Sequence, residues 1–143
     1  MKLIRTIQLD ASDLSVFPRA ATPGEWAVSG AFMFWERPAE TLIGKERQAF
    51  RNGLLGIDSL GWSTFVVVSE ASAGERAEAV ETLALKLVSN FGAPSLEVAR
   101  AAAEQEIAYA AHLAEAAVGT LIAVERSVED GDIRERFRTV LPT

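Results

Sequence analysis

The chain has 143 residues, 49% of them hydrophobic and 24% charged, an ordinary globular balance that excludes disordered and fibrous classes. One domain spanning residues 1–143 is expected, and at that size folding buries roughly 68–70% of the extended-chain surface. A net charge of −6 disfavours nucleic acid as a partner, and the absence of cysteine excludes disulfides, thiol nucleophiles and thiolate metal sites.

The opening MKLIRTIQLD breaks its apolar run with Arg5 and Thr6 before a signal-peptide core can form, and nowhere is an apolar run long enough to cross a bilayer. A cytoplasmic protein without a membrane partner is therefore expected. Residues 3–9, LIRTIQL, alternate as a first strand, and FPRAATPG at 17–24 supplies the loop after it. EWAVSGAFMFWE, residues 25–36, predicts a second strand with Trp26, Val28, Phe32 and Phe34 on one face and Ala27, Ala31, Met33 and Trp35 on the other. Apolar residues on both faces mean a covered strand or one lying against a partner. A ligand pocket lined by these aromatics, Trp35 among them, is the alternative.

Ile43, Arg47, Phe50 and Leu54 share a helical stripe that Gly53 ends. GLLG, residues 53–56, follows Lys45, Arg47 and Arg51 and has the outline of a nucleic-acid backbone clamp, but two leucines at its centre fit a helix end packed on the core. Neither a phosphate-binding glycine loop nor a nucleophile elbow is present. GWSTFVVVSE, 61–70, predicts a buried strand. Ser72 and Glu75 form a capping box ahead of a helix whose stripe runs through Val80, Leu83, Ala84, Leu87 and Phe91 to a stop at Gly92.

A second long helix is expected over about Ser95–Ala117. It carries His112, the one histidine, on a polar stripe with Glu97, Arg100, Glu104 and Glu115. His112 and Glu115, three residues apart, offer half a metal site at best, so no metal and no cofactor is expected. Glu106 falls on the apolar side between Leu113 and Ala117, where a carboxylate needs an arginine partner, an edge position where the helix end leaves the core, or a raised pKa that suits a general base. Val98, Ala102, Tyr109 and Ala116 extend the apolar surface beyond one stripe, which implies cover from a second copy of the chain.

Residues 120–141 predict a hairpin turning at Asp130-Gly131, with Glu125 opposite Arg136 and Arg126 opposite Glu135. Ile122, Val124, Val128, Ile133 and Phe137 then share one face, while Arg134, Arg136 and Arg138 project together as a charged, protective edge.

GAFMFWE, GKERQAFRNGLLG, STFVVVSEA and the IRERFR ending resemble a family of small uncharacterised bacterial proteins, a domain of unknown function. That resemblance implies no activity and no catalytic residue. The element order β-β-α-β-α-α-β-β gives an α+β class: a mostly antiparallel sheet of about five strands, helices mainly on one face, and a C-terminal hairpin. The leading functional expectation is a non-catalytic cytoplasmic binding or accessory protein acting as a homodimer, with an unidentified protein or small molecule as further partner. The alternative is a small enzyme in which Glu106, Glu104, Glu115 and His112 meet Arg47 or Arg51 across a subunit interface. Ligand contacts are expected at Trp35, Arg47, Arg51 and Tyr109.

Overall fold

The computed structural model of the chain describes residues 1–140; Leu141, the last residue of the expected hairpin, lies outside them. Among the described residues seven strands form two antiparallel sheets, and four α-helices accompany them, so the chain is α+β. In chain order these are β1 (Lys2–Ile7), the single turn α1 (Asp13–Val16), β2 (Ala27–Val28), α2 (Gly44–Asn52), β3 (Leu54–Gly56), β4 (Trp62–Ser63), β5 (Phe65–Glu70), α3 (Ala73–Phe91), α4 (Leu96–Leu113), β6 (Leu121–Glu129) and β7 (Asp132–Val140). The larger sheet has the order β1-β5-β6-β7 and the smaller one β2-β3-β4.

The expected single sheet is thus divided, and the physical reason lies at residues 25–36. Only Ala27–Val28 is extended. Gly30 takes φ +86°, outside the extended region, and a Cβ there would meet the Leu55 side chain at 2.6 Å and the Trp62 ring at 2.9 Å. From this corner the chain enters a 3₁₀ turn over Ala31–Phe34, where side chains three apart point the same way. Phe34 faces inward, stacked on Trp62 at 5.4 Å and edge-on to Phe50 at 5.2 Å. Phe32 and Trp35 face outward and meet edge-on at 6.3 Å. An aromatic run that alternates in the sequence therefore serves a turn and not a strand.

Two further expectations shift. Residues 61–70 split into β4 and β5, which lie in different sheets. The helix near residue 44 buries Ala49 and Phe50, while Ile43 precedes its first residue and is 79% exposed, so the proposed stripe through Ile43 and Arg47 does not face the core. α3 starts with the expected capping box: Ser72 Oγ accepts from the Glu75 amide at 3.0 Å, and Glu75 accepts from the Ser72 amide at 2.9 Å. α4 ends at Leu113, earlier than expected, and beyond it the Lys2 ammonium donates to the carbonyls of Glu115 at 3.2 Å and Ala116 at 2.7 Å.

The β6–β7 register is the one the turn dictates, with Glu129 opposite Asp132, Arg126 opposite Glu135 and Val124 opposite Phe137. Asp130 at φ +54° and Gly131 at φ +81° both take the left-handed conformation that a type I′ turn requires. α4 lies over this sheet on the side carrying Ile122 and Val124, and its Tyr109 ring meets Phe137 edge-on at 6.0 Å. Ala99, Ala103, Ile107 and Ala110 form its buried stripe, and their small side chains let the helix approach α3 and β1 closely.

Candidate functional site

Alternation along β6 and β7 puts Arg126 and Glu135 on the same sheet face as Val124 and Phe137, beneath α4. The Arg126 side chain is fully buried. Its Nε donates to Glu135 at 3.0 Å, and its terminal nitrogens donate to the Phe50 carbonyl at 2.7 Å and the Ser29 carbonyl at 2.9 Å. One guanidinium thereby joins the hairpin, the C-terminus of α2 and the corner before the 3₁₀ turn, with its charge well placed at a helix C-terminus. Ser29 Oγ donates to the same Glu135 carboxylate, and the Tyr109 hydroxyl donates to its other oxygen at 3.4 Å. Burial pulls the Arg126 pKa down against the opposing pull of Glu135, and burial together with Glu135 pushes Tyr109 up to about 12.

Glu106, one turn before Tyr109, is half-buried on the neighbouring side of α4 and accepts no hydrogen bond from any described residue. Its pKa rises to about 7, first because burial disfavours the charged carboxylate, then because Glu135 lies nearby; Arg126 opposes the shift without contacting it. The sequence offered an arginine partner, an edge position or a raised pKa; among the described residues no arginine pairs with Glu106, and burial favours its neutral form. Among the described residues every side-chain nitrogen or oxygen sealed from solvent has a hydrogen-bond partner, so the Glu106 oxygens are open to solvent.

They open into a groove of about 460 Å³ between the 3₁₀ turn and the α3–α4 hairpin. It is lined by Phe32, Met33 and Trp35 of the turn, by Leu87 and Phe91 of α3, and by Val98, Ala99, Ala102 and Glu106 of α4. Phe32 meets Phe91 edge-on at 5.7 Å across it. Trp35 at 71%, Val98 at 52% and Phe91 at 40% exposure show that the lining is apolar surface left uncovered and not closed core. At the mouth Arg37 is paired with Glu46, which leaves Glu36 and Glu106 as the carboxylates lining the groove.

The other residues singled out from the sequence do not join this place. Glu104 pairs with Arg76 of α3 at 2.5 Å. His112 and Glu115 form an exposed pair at 3.1 Å near the end of α4. Arg47 and Arg51 line a separate recess with Leu42, Glu125 and Arg126. Within one chain, Trp35 and Glu106 alone share the groove, and Tyr109 stands beside Glu106 on the hydrogen-bond network. Among the described residues no three histidine or carboxylate side chains gather to hold a metal ion, and no helix is long and apolar enough to cross a membrane.

Sequence reasoning missed Arg126, Glu135 and Ser29 as one cluster. The signal was present, since the hairpin register that sets Arg126 opposite Glu135 also sets both on the apolar face. It missed Glu25 as well, whose buried carboxylate accepts from the Thr22 amide at 2.7 Å, the Asp58 and Ser59 amides at 2.9 and 3.0 Å, and the Ser59 hydroxyl at 2.7 Å. That carboxylate is consumed in holding two loops and has no capacity left for a ligand.

A family model covers residues 1–143 in full. The chain belongs to the family of unknown function DUF6505. No curated protein and no solved structure matches it. Membership agrees with the resemblance noted in the sequence and brings no activity with it.

Proposed function

We propose that this member of DUF6505 is a non-catalytic binding protein whose contact surface is the groove between the 3₁₀ turn and the α3–α4 hairpin. The observation that carries this is the uncovered aromatic lining beside a solvent-open carboxylate: Trp35, Phe91 and Val98 stay exposed although a closed core lies directly beneath them. An enzyme built on Glu106 would need a second reacting group, and Glu104, His112, Glu115, Arg47 and Arg51 each lie elsewhere in the chain.

The same proposal places the protein in the bacterial cytoplasm and has it act as a homodimer. α3 leaves Leu85 at 50% and Val88 at 38% exposure, and neither lines the groove, so a second copy can cover them while the groove stays open. Native mass spectrometry of the purified protein tests both parts. A dimer carrying a stoichiometric small-molecule adduct that is lost in Trp35→Ala is the expected result; a bare monomer at micromolar concentration contradicts it.

A further inference from the structure

If the groove is the binding surface, its chemistry narrows what it binds, and we infer that it takes a small apolar molecule bearing one protonated amine, with the ammonium group on Glu106 and the apolar part against the exposed surfaces of Trp35, Phe91 and Val98. Three features lead there. The walls are aromatic and aliphatic, so most of a ligand's contact is apolar. Glu106 has no hydrogen-bond partner of its own, so it is an acceptor left over inside an apolar groove, where a charge-assisted bond is strong. The one lining cation, Arg37, is engaged with Glu46 at the mouth, so the groove presents uncompensated negative charge. The nearby rings also favour a cation, since their faces carry negative potential.

Other charged neighbours do not reverse that preference. Arg126, from β6, is spent on Glu135 and on the Phe50 and Ser29 carbonyls. Glu135, from β7, and the Tyr109 hydroxyl hydrogen-bond to one another. A ligand ammonium would thus meet Glu106 unpaired, with Glu36 the other lining carboxylate and no lining cation free to balance them. With its pKa raised to about 7, Glu106 is partly protonated near neutrality and loses that proton when the ammonium arrives. A carboxylic acid, by contrast, would place two carboxyl groups together in a half-buried site, and a neutral alcohol would forgo the charge.

The test is calorimetric titration of the intact protein with 4-phenylbutylamine and its neutral analogue 4-phenylbutan-1-ol. At about pH 8, where Glu106 is ionised, the amine is expected to bind about tenfold more tightly than the alcohol, the gain of one charge-assisted hydrogen bond. Glu106→Gln removes that preference, bringing amine affinity to that of the alcohol, and proton release on amine binding appears near pH 7 in wild type alone. Ala102→Trp fills the groove from an exposed helix position and abolishes both.

Equal binding of amine and alcohol, with both lost in Ala102→Trp, overturns the amine assignment and leaves the groove as the binding surface. Amine binding that survives Ala102→Trp is attraction to the acidic exterior and overturns it too. Binding of neither probe at millimolar concentration overturns the amine assignment together with the groove.

Discussion

Glu106 and the Arg126–Glu135 pair show how differently a half-buried and a fully buried charge are handled. Glu106 is held without a partner, so folding raises its pKa from 4.5 to about 7. Between those two values the folded chain binds more protons than the unfolded chain, and stability therefore falls as pH rises, levelling off above about pH 7. After allowance for partial solvent access, about 1–2 kcal/mol is expected to be lost across that range. Glu106→Gln, which cannot ionise, should remove this component; urea unfolding across a pH series checks it, and parallel curves for both proteins would refute it. Arg126 is the opposite case, a guanidinium sealed from water whose charge is answered by Glu135 and the carbonyls of Ala49, Phe50 and Ser29. Glu135→Ala should cost about 3–5 kcal/mol because it leaves that charge buried and unpaired, whereas Arg134→Ala on the exposed face should stay within about 0.5 kcal/mol. Chemical denaturation of the two variants side by side reads the difference.

Elements were legible where local chemistry decided them. The Ser72–Glu75 box and the Gly92 stop bound α3 in both sequence and structure, and Asp130-Gly131 fixed the hairpin register residue by residue. Ser72→Ala is expected to lower stability by about 1 kcal/mol, the usual loss for an N-cap. Residues 25–36 were not legible in the same way. Their composition is that of a strand, but a left-handed Gly30 wedged against Leu55 and Trp62 is a tertiary fact, and no local pattern announces it. Gly30→Ala should therefore destabilise by more than about 2 kcal/mol, combining a strained backbone with a steric clash; thermal unfolding checks it, and a change under about 0.5 kcal/mol would mean the corner is not held as described. The cost of misreading this stretch was to misplace Phe32 and Trp35, the two side chains that become a wall of the groove.

At the scale of the molecule, two antiparallel sheets and the α3–α4 hairpin share one apolar core, and the groove lies where the 3₁₀ turn fails to cover the hairpin completely. Part of that site could be read from the sequence. A carboxylate on the apolar side of α4 and surplus apolar residues at Val98, Ala102 and Tyr109 are visible from helical spacing, and Trp35 from its aromatic neighbourhood. Their convergence with Phe91 could not be read, because it depends on how α3 and α4 pack against a turn far earlier in the chain. His112 and Glu115, which helical spacing puts on a polar stripe, form a solvated pair at the far end of the helix.

The proposed binding surface is this groove and no other. Two-dimensional amide and tryptophan-indole NMR during titration with 4-phenylbutylamine distinguishes it from every other surface. Shift changes are expected only at the Trp35 indole and the amides around Phe91, Val98, Ala102 and Glu106, with the Trp26 and Trp62 indoles unmoved. Saturable changes centred on Arg47 and Arg51, or on the β6–β7 edge, would contradict it.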